Sequence, residues 1–174
     1  MNRFIPAPAT RRVQRFSPAS AYALAAFVFA ADAASKYGFH ENTAYGWSWP
    51  VTDFFNLVHA RNQGAAFSFL ADAGGWQRLF LTGLALLVSA GLLWLLQKPL
   101  SLLERLAYSL ILGGALGNGV DRGMRGYVVD FLDFHWRGWH WPAFNVADIA
   151  IFCGVALMFS HTLVMARSPA TSRP

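Results

Sequence analysis

The chain has 174 residues, of which 55% are hydrophobic and only 13% charged, and its formal net charge is +5. This is too apolar and too sparsely charged for an ordinary soluble domain, and the length suits one domain, 1–174. The basic excess needs no nucleic acid to explain it, because the charges segregate along the chain as membrane orientation requires.

Residues 1–16 form a basic extension carrying Arg3, Arg11, Arg12 and Arg15. A helix needs roughly 20 apolar residues to cross a bilayer, and four stretches qualify or nearly qualify. The first, 18–37, is mostly Ala, Phe and Val. Its start resembles a cleavable secretory signal ending in Ala31-Asp32-Ala33. The apolar run continues to Phe39, however, with Asp32 and Lys36 in its final turns, which favours a retained span. The second, 79–96, has no charge; the third, 102–120, has Glu104 and Arg105 near its start; the fourth, 146–165, has Asp148 near its start and His161 near its end. The expected fold is an integral membrane all-α core of four transmembrane helices. The tail, "SPATSRP" at 168–174, reads as disordered.

The long segment 38–77 contains "WPVTDFFNLVHARNQGAAFSFL". There 53–58 reads as a short strand, Asn62-Gln63-Gly64 as a turn, and 66–69 as a second strand or the start of a surface helix. In 121–145, "YVVDFLDFHW" has a partial strand alternation, "RGW" reads as a turn, and "HWPAFN" follows. A small extracytoplasmic β element, with loops resting on the outer membrane surface, satisfies these backbones.

With four spans, both termini and the 97–105 link share one side. That side holds Arg3, Arg11, Arg12, Arg15, Lys98, Arg105, Arg167 and Arg173 against Glu104 alone, while the other side has more acids than bases. Both termini are therefore expected in the cytoplasm. Of the seven Trp only Trp94 falls on the inner side, and indoles prefer the headgroup layer. Cys153 is the only cysteine, so no intrachain disulfide forms, and its place within the fourth span suggests a small packing residue.

Carboxylates stand at the edges of these apolar runs. Asn118, Asp121 and Arg122 are spaced i, i+3, i+4 on one helix face, and Asn145 lies one turn from Asp148. Asp121 can be the ion-pair partner of Arg122, whereas Asp130 has apolar neighbours and no adjacent cation. Two carboxylates in a poorly solvated site share a proton, so one activates a water while the other hydrogen-bonds the carbonyl under attack. Asp130 and Asp148 fit such a dyad. The same residues also suit interhelical polar glue, a proton-coupled carrier or a structural membrane subunit. Four spans without pseudo-symmetric halves argue against a transporter. The five His form no ligand pattern on a shared face, so no metal and no cofactor is expected.

"GGALGNGVDR", "VVDFLDFHW" and "WPAFNVADIAI" resemble the signature blocks of the lipoprotein signal peptidases (signal peptidase II). "NLVHARNQGAAFSFL" is similar to that family's outer-loop block and "DAASK" to its first-helix block, and the blocks run in family order over 32–155. The resemblance implies a membrane aspartic peptidase that removes the signal peptide of bacterial prolipoproteins before a diacylglyceryl-cysteine. It implies a bacterial inner-membrane location, an active site near the extracytoplasmic face, and a lipidated prolipoprotein and membrane lipids as partners; a monomer is expected. Its catalytic pair falls on Asp130 and Asp148. Its supporting positions fall on Asp32, Lys36, Asn62, Gly64, Gly114, Asn118, Asp121, Arg122, Asn145 and Ala147. Ala33 stands where the family usually has Gln, and Gln63 where it usually has Thr. On their own residues, Asp32 and Lys36 also read as an i, i+4 ion pair near the interface with Lys snorkelling. Asn62 and Asn145 read as turn and cap residues, and Gly113, Gly114 and Gly117 as small-residue packing.

Overall fold

The structure, a computed structural model, describes residues 17–64, 70 and 73–167. In chain order these form α1 (Pro18–Asn42), β1 (Ser48–Thr52), β2 (Phe55–Asn62), α2 (Trp76–Leu95), α3 (Leu102–Arg125), β3 (Val128–Trp136), β4 (Trp139–His140) and α4 (Val146–Arg167). The basic extension, the tail and the element expected at 66–69 lie outside the described residues.

Local chemistry sets the helix ends. Ser17 caps α1, its hydroxyl accepting the Ser20 N–H, with Pro18 where a missing N–H costs nothing. Ser101 and Glu104 close a reciprocal capping box on α3, and Gly126, at φ +83°, ends it. Asp121 and Arg122 therefore lie inside a helix that runs to Arg125, rather than opening the loop expected from 121 onward. Polar residues did not stop the helix because each finds a partner within the bundle.

α3 packs against α1, α2 and α4 and occupies the centre. Close approach depends on glycine: a Cβ at Gly113 would meet the Ala25 carbonyl and Val28 of α1, and one at Gly154 of α4 would meet Ile111 and the Ala107 carbonyl of α3. By length and composition α1, α2 and residues 146–163 of α4 suffice to cross a membrane. α3 falls outside that set because Glu104, Arg105, Asp121, Arg122 and Arg125 dilute its apolar residues. At the bundle end away from the sheet, Ala21, Ala25, Leu92, Leu96 and Leu112 bury one another. Cys153 is exposed, and so is not the small packing residue expected. A thiol is small enough for either face, so the residue type did not decide.

The four strands form one antiparallel sheet in the order β1-β2-β3-β4. β2 begins at Phe55, because Asp53 and Phe54 make the turn from β1; the strand expected at 53–58 is displaced to 55–62. Asp is a turn former, and that property prevailed over the β-branched and aromatic residues around it. β1 is an edge strand, which is why it accommodates Pro50. The expected turn at "RGW" is present, with Arg137 and Gly138 both at positive φ. Phe131 of β3 stacks on Phe39 of α1 at 4.5 Å between ring centroids, fixing the sheet across the end of the bundle.

Candidate active site

β3 carries Asp130 into the interior at 2% exposure, between the buried side chains of Val129 and Phe131. Its strand position is held by β2, where Ala60 pairs with Asp130 and Asn62 with Val128 across an irregularity between Leu57 and Ala60. α4 supplies Asp148 from its first turn through a second reciprocal cap. The Asp148 N–H donates to Asn145 Oδ1 at 3.0 Å, and the Asn145 N–H donates to Asp148 Oδ2 at 3.3 Å. The cap leaves Asn145 Nδ2 free to bridge, and it donates to Asp130 Oδ1 at 2.6 Å. Asn145, with no exposed surface, thus joins the two carboxylates and is a cap as well.

A polar network lies beneath. Lys36 is buried at 1% exposure, contacting Asp32 Oδ2 at 2.7 Å and Asp121 Oδ2 at 3.3 Å and donating to Asn118 Oδ1 at 2.8 Å. It does not snorkel, because three acceptors meet its ammonium inside the bundle. Asp32 Oδ1 accepts the Ala147 N–H at 2.8 Å, tying α1 to the start of α4. Asn118 Nδ2 donates to Asp148 Oδ1 at 2.8 Å. Asp121 pairs with Arg125 and Lys36, not with its neighbour Arg122. Consecutive helical residues point apart, so i, i+4 partners prevailed. Arg122 reaches over to the Gly64 carbonyl at 2.6 Å, and the Gly64 N–H donates to Asn62 Oδ1 at 3.0 Å. Gly114 packs against Ala147 and Ile151.

Burial, then the neighbouring Asp148 carboxylate, push Asp130 up to about 7, against hydrogen bonds from Asn145 and Asn62 and the charge of Lys36. Asp130, Asp148, Arg122 and Asn62 line one cavity of about 700 Å³. Its remaining wall is largely apolar, from Trp141, Pro142 and Phe144 before α4 to Ile151, Phe152 and Val155 on it. Sequence reasoning missed that wall, although Asp148, Ile151, Phe152 and Val155 are spaced i, i+3, i+4, i+7 on one face. Arg78 was missed too: from α2 it donates to the Arg122 and Gly123 carbonyls near the end of α3.

Apolar helices around a cavity lined by one buried and one half-buried carboxylate describe a membrane-embedded enzyme, and likeness to solved structures agrees. One described as a bacterial membrane enzyme superposes with a TM-score of 0.80 at 30% identity, covering 90% of this chain and 94% of that one. A second gives 0.72 at 32% identity over 83% and 93%. The profile described as Signal peptidase (SPase) II matches residues 24–164. The chain is 47% identical to a lipoprotein signal peptidase of Serratia marcescens, covering 92% of this chain and 95% of that one, and 50% identical to one of Cupriavidus necator, covering 91% of each. The chain belongs to the signal peptidase II family, and is thus a peptidase.

Proposed function

We propose that this peptidase is an aspartic endopeptidase that removes the signal peptide of diacylglyceryl-modified bacterial prolipoproteins, cutting just before the lipidated cysteine. Asp130 and Asp148 are its catalytic pair. The observation that carries this reading is two carboxylates facing one cavity and joined through the Asn145 side chain. One ionised carboxylate takes a proton from water as its oxygen attacks the scissile carbonyl. The other, protonated, hydrogen-bonds the carbonyl oxygen, and the nitrogen leaves with the proton taken from water. Asn62, Gly64, Asn118 and Asn145 hold the pair, and Asp32, Lys36, Asp121, Gly114 and Ala147 hold the helices that carry it. Arg122, whose Nε is buried without a partner among the described residues, binds polar groups of the substrate near the cut.

The fold is read as four transmembrane helices. α3, 24 residues and roughly 36 Å at 1.5 Å per residue, exceeds the ~30 Å hydrocarbon core. Enclosed by three neighbours, it needs no lipid-compatible surface all round. The charge asymmetry then puts both termini in the cytoplasm and the sheet and dyad at the extracytoplasmic face of the inner membrane. A reporter fused after Pro174 is expected to be active only in the cytoplasm; periplasmic activity would mean an odd number of spans.

Two acyl chains on the adjacent cysteine hold the peptide at the depth of the dyad, each buried CH₂ contributing ~0.8 kcal/mol. Part of that energy orients the scissile carbonyl, so lipid affects turnover as well as capture. With matched precursors, the unlipidated one is expected to be cut far more slowly at saturation. Equal maximal rates would reduce the lipid to capture alone.

A further inference from the structure

Resting on the dyad reading above, we propose that Lys36 is a positioning residue that makes the two aspartates unequal, with Asp148 the base that takes the water proton and Asp130 the acid that bonds the carbonyl oxygen. Lys36 acts through the orientation of one amide, that of Asn118.

An ammonium has hydrogens to donate and no lone pair to accept with. Whatever atom of Asn118 lies 2.8 Å from Lys36 Nζ is therefore the carbonyl oxygen. The NH₂ of that amide must then face the other way, and there it donates to Asp148 Oδ1 at 2.8 Å. A flip would set NH₂ against the ammonium and against Asn145 Nδ2, which donates to the same oxygen at 3.3 Å, so Lys36 locks the amide with Asn145 as the weaker second donor. The second oxygen of Asp148 faces the Asn145 N–H at 3.3 Å. Both oxygens accept, and the carboxylate stands in the first turn of α4, where the helix dipole favours negative charge. The Asn145 amide is locked in turn, since its Oδ1 accepts the Asp148 N–H and its Nδ2 therefore points at Asp130. Asp130 lies on a strand, without a helix N-terminus, and takes its hydrogen bonds from the Asn145 and Asn62 side chains.

The charged groups around Asp148 are consistent with this division. α1 presents Lys36 and Asp32, which pair with each other. α3 presents Arg122 and Asp121, the latter neutralised by Arg125 and Lys36. β2 presents Arg61 at the cavity wall, and β3 presents Asp130 itself. In the reaction, water loses its proton to Asp148 as its oxygen bonds the carbonyl carbon, and Asp130 gives its proton to the carbonyl oxygen. On collapse the C–N bond breaks, the nitrogen takes the proton from Asp148, and Asp130 recovers its own from the hydroxyl.

The test compares Lys36→Met and Asn118→Asp with the unmodified enzyme, measuring kcat and KM for a lipidated precursor across pH. Lys36→Met removes the shorter of the two bonds that orient the amide, leaving Asn145 Nδ2 at 3.3 Å to hold Asn118 Oδ1. Asn118→Asp keeps an acceptor for Lys36 but offers Asp148 no donor. Each is expected to lower kcat by roughly tenfold or more, to leave KM within about twofold, and to move the acid side of the kcat profile upward by about one pH unit. A purely structural role would reduce the amount of folded enzyme and leave the profile unchanged in shape. A profile matching the unmodified enzyme, or a loss confined to KM, overturns the proposal. If Lys36→Met does not accumulate, Asn118→Asp decides alone. Asp130→Asn and Asp148→Asn are run in parallel: turnover by either removes the dyad itself, while two dead variants with an unmoved profile remove only the role of Lys36.

Discussion

The two ends of the helix bundle are buried by opposite means. Away from the sheet, Ala21, Ala25, Leu92, Leu96 and Leu112 fill the interior. Next to the sheet the buried groups are Asp32, Lys36, Asn118, Asp121, Asp130 and Asn145. In a bilayer the apolar end gains little from hydrophobicity, because lipid is as apolar as leucine; close packing of small residues holds it. At the polar end the buried groups bond chiefly to one another, so each depends on the next. Damage should therefore be graded at one end and collective at the other.

The sharpest break of that comparison is at the carboxylates. Asp130→Asn and Asp148→Asn keep shape and volume but can neither take nor share the proton, so each is expected to lower cleavage of a lipidated precursor by at least ~10²–10⁴-fold. Both proteins should still insert and accumulate, because the apolar end is untouched. Near-normal turnover by either purified variant would exclude that residue from the chemistry.

Apolar runs made the helices legible: α2 and α4 begin and end within a few residues of them, while α1 and α3 start with theirs but run on to Asn42 and Arg125. The β3–β4 hairpin was legible from "YVVDFLDFHW" and "RGW". β1 was not, since its pairing with β2 turns at Asp53, a residue that reads equally as strand start or turn. At the site, motif likeness named the residues, but spacing misassigned Asp121 to Arg122 and put Lys36 at the interface. The i, i+4 pair of Asp32 and Lys36 read from spacing is present, but the bonds of Lys36 to Asp121 and Asn118 and of Ala147 to Asp32 cross between helices, over up to 115 residues of sequence. No local pattern encodes them.

Two glycines on opposite sides of the comparison give the next test. A Cβ at Gly117 would strike the Asp32 carboxylate, whereas one at Gly154 would strike Ile111 and the Ala107 carbonyl, in a packed apolar crossing. Gly154→Ala is expected to cost ~1–3 kcal/mol of stability, as overpacking does, with turnover by the folded enzyme largely kept. Gly117→Ala displaces Asp32 from Lys36 and Ala147 and should cost turnover, measured against folded protein, by at least about tenfold. Thermal unfolding in detergent and initial rates separate the two, and equal losses of turnover would mean that the polar end is no more interdependent than the apolar one.

The last effect leaves the sequence untouched: it is on stability as pH changes, and it isolates one group. Asp130 has a folded value near 7, against 3.8 for the free side chain. Between those values the folded protein binds the proton that the unfolded chain has lost. Stability from this group is therefore greatest at the acid end and falls as pH rises through the window, opposite in sign to the usual salt-bridged carboxylate. Above about 7 both states are ionised and the dependence ends. Unfolding temperature should thus fall by up to roughly 6–12 °C as pH rises from about 4.5 to 7, about 3 kcal/mol by linkage at roughly 2–4 °C per kcal/mol for a chain this long. In Asp130→Asn, which has no proton to lose at this position, that part of the slope should vanish. The free enzyme's kcat/KM should also decline above about pH 7, as the proton that bonds the carbonyl oxygen is lost. Parallel unfolding curves for the two proteins would mean that Asp130 is not held protonated by burial and Asp148, and the polar end would then be a set of independent ion pairs.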